Sequence, residues 1–225
     1  MLVIKTKIPS LFRFFYDAIV RVVMPPLCAH CKSFLQKRAV FCSDCYAAIT
    51  PVVSTDVEIT KTKKIKLFAV CAYKDPVRSL ILSKHRSDIV SARQLGQLVC
   101  EMTYVHNVPF DYIVPVPLHW TRFAQRGFNQ AEQMARMIAK KTGKPVVNML
   151  QRRKKTKFQA VLDKTGRVEN LKDAFVLRNK KLKEGAVFLL VDDLFTTGAT
   201  LKSAARCLYQ LKPESIVAVV ASRVV

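Results

Sequence analysis

The residues best suited to chemistry fall in one run, Asp192-Asp193-Leu194-Phe195-Thr196-Thr197-Gly198-Ala199-Thr200, directly after the apolar stretch from Ala186 to Val191. An apolar strand of this kind delivers two adjacent carboxylates to the carboxyl end of a sheet, where α/β proteins bind ligands. The turn that follows opens a helix, so backbone N–H groups, hydroxyls and the helix dipole together make an anion site. Gly198 has no Cβ and lets a phosphate approach the backbone. Adjacent carboxylates repel unless hydroxyls or a metal share them, and a ribose with two free hydroxyls is such a partner. A metal-binding Asp pair, or an N-cap before an ordinary helix, reads the same residues differently.

A second constellation is Cys28-Ala-His-Cys31 and Cys42-Ser-Asp-Cys45, two C-x2-C pairs ten residues apart. Four thiolates at this spacing satisfy tetrahedral Zn2+, and a closed sulfur shell leaves no open position for catalysis, so the expected role is structural. His30 inside the first pair is expected to be exposed. Cys71, Cys100 and Cys207 stand alone in apolar surroundings and read as small core residues. Free thiols beside a metal site suit a cytoplasmic protein.

The remaining chemistry is basic. The chain carries 38 Lys and Arg against 16 Asp and Glu, a formal charge of +22. That excess points to a polyanionic partner, whether nucleic acid, anionic lipid or phosphate-rich ligands, with nucleic acid favoured. Residues 151–183 concentrate it, with twelve Lys and Arg against three Asp and Glu. Arg152, Arg153, Lys154, Lys155 and Lys157 are candidate nucleic-acid contacts, and Phe158 and Gln159 could stack on or pair with a base. A segment so poor in apolar residues is expected to be a mobile loop.

The elements that position these groups alternate. Strands are expected at Leu67 to Tyr73, Asp111 to Val116, Lys144 to Leu150, Ala186 to Val191 and Ser215 to Ala221. Helices are expected at Pro76 to Leu82, Ile89 to Thr103, Gln130 to Thr142 and Thr200 to Leu211. This order implies a mostly parallel α/β sheet covered on both faces. Residues 51–66 read as a polar linker ending in Lys61, Lys63, Lys64 and Lys66. Leu11 to Val23 reads as an amphipathic helix rather than a membrane span, because Arg13, Asp17 and Arg21 interrupt it. Trp120, the one tryptophan, is expected in core or lid packing rather than in base stacking, and His106 in a loop.

Val191 to Thr200 resembles the 5-phosphoribosyl pyrophosphate motif of type I phosphoribosyltransferases. Together with the paired cysteines, Val114-Pro-Val-Pro117, Arg126-Gly-Phe-Asn-Gln130 and the string Gln159 to Asn170, it makes the chain similar to the ComF (ComFC) competence-protein family along nearly its whole length. The resemblance implies an α/β type I phosphoribosyltransferase-like sheet flanked by helices, behind a small four-cysteine zinc ribbon. It divides the chain into an N-terminal helix (1–26), a zinc module (27–58) and a phosphoribosyltransferase-like domain (59–225). It implies that Asp192 and Asp193 hold ribose hydroxyls, that Thr196, Thr197, Gly198, Ala199 and Thr200 cradle the 5′-phosphate, and that Val116, Pro117 and Leu118 form the pyrophosphate turn. Mg2+ would bridge pyrophosphate and ribose oxygens. Arg167 and Asn170 match the pattern of the segment that closes over pyrophosphate, and Lys84 matches a pyrophosphate contact. His85 departs from the aromatic that follows that lysine in typical members. Arg122 and Arg126 flank the turn and suit the same work, and His119 is a candidate acid.

For function, the resemblance implies binding of 5-phosphoribosyl pyrophosphate and single-stranded DNA, and a role in DNA uptake during natural transformation beside a competence helicase and other uptake proteins. A true Mg2+-dependent phosphoribosyltransferase of nucleotide salvage, or a non-catalytic sensor of phosphoribosyl pyrophosphate, are the alternatives. Salt-dependent retention on single-stranded DNA and release of pyrophosphate separate these readings.

Overall fold

The computed structural model describes residues 25–83, 88–152, 174–178 and 182–225. The expected helix at 11–23, Lys84, His85, Arg153, Lys154, Lys155, Lys157, Phe158, Gln159, Arg167 and Asn170 lie outside the described residues. The chain forms two compact units, one ending at Ala47 and the other running from Ala48 to Val225.

In the first unit an antiparallel bridge between Leu27 and Phe34 closes a tight loop that carries Cys28 and Cys31. Lys32 sits at φ 65° within it, and its amide donates to the Cys28 carbonyl at 3.0 Å. Helix α1 (Ser43–Ala47) begins directly after Cys42 and turns Cys45 inward. Leu35, Val40 and Phe41 are the other buried apolar residues among the described residues of this unit, and Phe41 meets the edge of Tyr46 at 5.7 Å.

The second unit is built on a five-stranded sheet in the order β1-β2-β7-β6-β3. Strands β2 (Lys64–Ala72), β7 (Ser215–Arg223), β6 (Val187–Phe195) and β3 (Tyr112–Pro115) run parallel, and β1 (Thr55–Glu58) closes one edge antiparallel to β2. The segment expected as a linker is therefore a hairpin. Its lysines conceal a strand period: Lys64 and Lys66 are exposed while Ile65 and Leu67 between them are buried. Glu58 and Lys64 face one another across the two strands as an exposed ion pair at 3.2 Å.

Alternation along the strands sorts the core into two faces. Leu67, Val114, Phe188, Leu190, Ala218 and Val220 pack with Leu201, Ala204, Ala205 and Leu208 of helix α6 (Ala199–Tyr209). Their neighbours in sequence, among them Ile113, Leu189, Val191 and Val219, are equally buried. They take the face covered by α3 (Ile89–Met102) and α5 (Gln130–Thr142), which touch β2 and β7, and β3 and β6, respectively. Two shorter helices, α2 (Val77–Leu82) and α4 (Trp120–Arg126), complete the described set.

The expected strand at 144–150 contracts to one parallel bridge between Val146 and Ile113 at the sheet edge. Leu150 instead opens β4 (Leu150–Arg152), which pairs antiparallel with β5 (Phe175–Leu177) in a separate two-stranded sheet. Both ends of the basic stretch are thus strand rather than loop. His106 lies in a 3-10 turn, Tyr104–Asn107. Cys71 and Cys207 are buried and Cys100 half-buried, as small core residues are, and burial pushes the Cys71 thiol up to about 11.

Helices α3 and α5 cross where Gly96 meets the Met134 backbone. A Cβ on Gly96 would lie 2.8 Å from the Met134 Cα. The neighbour is main chain and cannot rotate away, so Gly96→Ala forces the helices apart, at a cost on the order of 1–3 kcal/mol, only partly offset by the better helix propensity of Ala. A lowered midpoint in urea unfolding is the expected outcome; an unchanged or raised midpoint would show that the crossing yields.

Candidate functional site

The site lies at the carboxyl ends of the parallel strands. Strand β6 runs beyond Val191 through the acid pair to Phe195, with Asp192 opposite Val220 and Leu194 opposite Ser222 of β7. The carboxylates thus stand on a strand, and successive strand residues point to opposite faces. Asp192 shares the α6 face with Leu190, and Asp193 shares the α3–α5 face with Val191. Splaying across the sheet removes most of the repulsion that adjacent acids would suffer in a loop. The Asp193 amide also donates to Asp192 Oδ1 at 2.9 Å.

Each carboxylate acts electrostatically on a different arginine. Burial, then the charge of Arg122, lowers the pKa of Arg126, and Asp193 opposes that shift. Burial and Arg122 likewise lower Arg152, and Asp192 opposes it. Arg126 is 9% exposed at the end of α4. Arg152 lies in β4, half-buried, with its guanidinium 5.6 Å from the centre of the Phe175 ring. Three arginines and two carboxylates thus act on one another through their charges, a combination suited to a ligand that carries both anionic oxygens and hydroxyls.

The turn after β3 is tied to the same place. The Val116 amide donates to the Val191 carbonyl at 2.9 Å, one residue before the acid pair. Asn129 Nδ2 donates to the Val116 carbonyl at 3.0 Å, while Asn129 Oδ1 accepts from the Ala131 amide and caps α5. Val116 is buried, and Pro117 and Leu118 are half-buried. Asn129 is therefore a positioning residue that residue chemistry alone does not single out. The available signal is its place as an N-cap before an amphipathic helix. His119 follows the turn and is the N-cap of α4, its Nδ1 2.7 Å from the Thr121 hydroxyl.

On the far side of the acid pair, Gly198 caps α6 at φ 74°. Glycine brings no side-chain acceptor, so the first N–H groups of this helix can address a phosphate. Thr196 and Thr197 are exposed beside it, and the Thr197 hydroxyl accepts from the Ala199 amide at 3.4 Å. A Cβ on Gly198 would stand 2.6 Å from Phe195 Cε2. Gly198→Ala therefore combines a left-handed backbone penalty with a ring clash, together about 2–4 kcal/mol. Urea unfolding of Gly198→Ala in wild-type and Phe195→Ala backgrounds separates the two parts. Relief of part of the loss by Phe195→Ala is expected, and equal losses in both backgrounds would remove the ring from the argument.

Residues 124–223 match the phosphoribosyl transferase domain. Competence protein F of Haemophilus influenzae is 31% identical over 200 residues, which cover 85% of this chain and 82% of that protein. The chain belongs to the competence protein F (ComF) family. Within the family, competence protein ComFC of Bacillus subtilis is 36% identical over 98 residues, 44% of this chain and 38% of that protein. DNA utilization protein YhgH of Escherichia coli K12 is 32% identical over 154 residues, 64% of this chain and 65% of that protein.

The ComF chain brings its four predicted metal ligands together in the first unit. The sulfurs of Cys28, Cys31, Cys42 and Cys45 all lie within 4.8 Å of one another, and Cys31 and Cys42 are 3.6 Å apart. A tetrahedron of sulfurs about 2.3 Å from zinc has edges of roughly 3.8 Å, so the cluster fits a structural zinc. The Cys42 amide points at Cys28 Sγ at 3.4 Å, a contact that favours the thiolate. Burial and the neighbouring cysteines push the Cys45 thiol up to about 12, and the Ser33 hydroxyl draws Cys31 down to about 6. Sulfurs this close can all be anionic only around a cation. His30 is exposed, as expected.

Of the other predicted residues, Arg152 alone of the basic set is described, and it sits in a strand beside Asp192. Trp120 is 56% exposed on α4, which places it outside the core. Among the described residues no helix is long and apolar enough to cross a membrane.

Proposed function

We propose that this ComF-family chain binds 5-phosphoribosyl pyrophosphate with Mg2+ at the acid pair, binds single-stranded DNA, and acts in the cytoplasm in DNA uptake during natural transformation. The observation that carries the reading is the acid pair on β6, flanked by the Val116–Leu118 turn and the Gly198 helix start. Asp192 and Asp193 hold the two ribose hydroxyls. The α6 N-terminus with Thr196, Thr197, Ala199 and Thr200 takes the 5′-phosphate. The turn, with Arg126 beside it, takes the pyrophosphate. Mg2+ suits a site with few protein carboxylates because it draws its remaining ligands from phosphate oxygens and water, and it would neutralise the pyrophosphate charge.

The DNA half of the proposal rests on the charge of +22 and on the names of the relatives, two competence proteins and a DNA utilization protein. A competence helicase is the partner class this reading calls for.

Two titrations test the function. Calorimetry with 5-phosphoribosyl pyrophosphate and Mg2+ is expected to give one saturable site per chain, and absence of heat would reject the ligand. Binding of an end-labelled single-stranded oligonucleotide is expected to weaken steeply with salt, since each neutralised phosphate releases counterions. An affinity that ignores salt would reject a phosphate-driven DNA surface.

A further inference from the structure

Helix α4 breaks the usual rule for a short helix. Such helices are ordinarily held by an apolar face buried against the core, yet of Trp120–Arg126 only Arg126 is buried. The apolar residues face outward, Trp120 at 56% and Phe123 at 49% exposure. Its ends are nevertheless fixed. The His119 ring accepts from the Thr121 amide at one end, and Gly127 closes the other at φ 77°.

The sequence Trp-Thr-Arg-Phe-Ala-Gln-Arg places two rows on this helix. At about 100° per residue, Trp120 and Phe123 lie roughly 60° apart and form one row. Arg122 and Arg126 lie roughly 40° apart and form another, about 110° around the helix. Arg126 is the buried member of this row, and the charge of Arg122 acts on both Arg126 and Arg152, as Asp193 acts on Arg126. The aromatic row is exposed to solvent, and the His119 ring sits 5.9 Å from Trp120. The helix contains no acidic residue.

We propose that Trp120 and Phe123 form a base-stacking platform for single-stranded DNA, with Arg122 and Arg152 taking backbone phosphates beside the phosphoribosyl pyrophosphate site. The inference rests on the single-strand reading above and deepens it by naming the surface. Outward aromatics flanked by arginines are how proteins hold single strands without reading sequence, because every base offers a π-face and every nucleotide a phosphate. A protein partner would also accept exposed aromatics, but it would have to answer a row of arginines on a chain of charge +22. Nucleic acid supplies rings and negative charge together.

The chain contains a single tryptophan, so its emission reports on this helix alone. The full-length protein is titrated with a 20-residue oligo-dT while tryptophan emission and the anisotropy of an end-labelled oligonucleotide are followed together. Quenching that tracks anisotropy is expected, with no quenching by heparin, which carries charge without bases. Phe123→Ala, which keeps the reporter, is expected to weaken oligo-dT binding about 10-fold, and Trp120→Ala with Phe123→Ala on the order of 100-fold. Both variants change exposed residues, and unaltered thermal melts are expected to show that the fold survives. If the oligonucleotide binds with unchanged tryptophan emission, or equally well to the double variant, the platform is overturned while single-strand binding stands. Equal quenching by heparin would also overturn stacking. If anisotropy does not rise even at low salt, the platform and the single-strand reading fall together.

Discussion

Asp192→Asn combined with Asp193→Asn abolishes measurable binding of 5-phosphoribosyl pyrophosphate with Mg2+ in calorimetry, while the variant melts within a few degrees of wild type. The two halves of this expectation have separate causes. A hydrogen bond to a charged partner contributes about 1.5–3 kcal/mol, so losing two carboxylate–hydroxyl interactions weakens binding by roughly two to four orders of magnitude. The fold is spared because Asn keeps the Oδ1 that accepts from the Asp193 amide, and neither side chain is part of the buried apolar core. Single variants divide the site by face. Asp192→Asn leaves Arg152 without its opposing charge, and Asp193→Asn does the same for Arg126. Unchanged affinity in the double variant would remove the acid pair from the site.

How far the sequence foretells this arrangement depends on where each residue's information lies. The acid pair and its turn are legible because their chemistry is local. A strand, two acids and a Thr-Thr-Gly-Ala-Thr turn are contiguous, and Gly198 declares a backbone that other residues resist. The cysteines are legible for the same reason, since C-x2-C pairs encode geometry in spacing. What is hidden depends on tertiary neighbours. Nothing in Val191-Asp192-Asp193 says that β7 continues alongside, so the ladder to Phe195 and the splaying of the carboxylates appear only once Val220 and Ser222 lie opposite.

Helix α4 is invisible to periodicity because it turns a charged residue, Arg126, inward and its aromatics outward, reversing the pattern that reveals helices. The hairpin of β1 and β2 is masked by lysines that alternate with Ile65 and Leu67. Strands β4 and β5, three residues each, are too short to carry a period and sit at the ends of a run whose composition reads as loop. The electrostatic coupling of Arg126 and Arg152 to the acid pair joins residues 26 positions apart with acids some 40 further on, and only the sheet brings them together.

Removal of zinc has the largest expected effect on stability, and it falls on the first unit. Between Leu27 and Ala47 the buried apolar groups are Cys28, Leu35, Val40, Phe41 and Cys45, and two of these belong to the four-cysteine cluster. A core of this size cannot offset the entropy of ordering some twenty residues, at about 1–2 kcal/mol for each backbone. Structural zinc contributes roughly 10–16 kcal/mol in comparable small sites. Chelation, or Cys42→Ser, is therefore expected to unfold this unit while leaving the sheet of the second in place. Acid acts in the same direction, because each sulfur must lose its proton to bind, so metal is released as pH falls. Elemental analysis should give one zinc per wild-type chain and none in the variant. Hydrogen exchange should show lost protection at Cys28, Ala29, Lys32 and Leu35, whose amides are bonded within the knuckle, and retained protection along β6 and β7. A full zinc complement in Cys42→Ser would refute four-sulfur coordination. Simultaneous loss of protection in β6 and β7 would mean that the sheet depends on the metal as well.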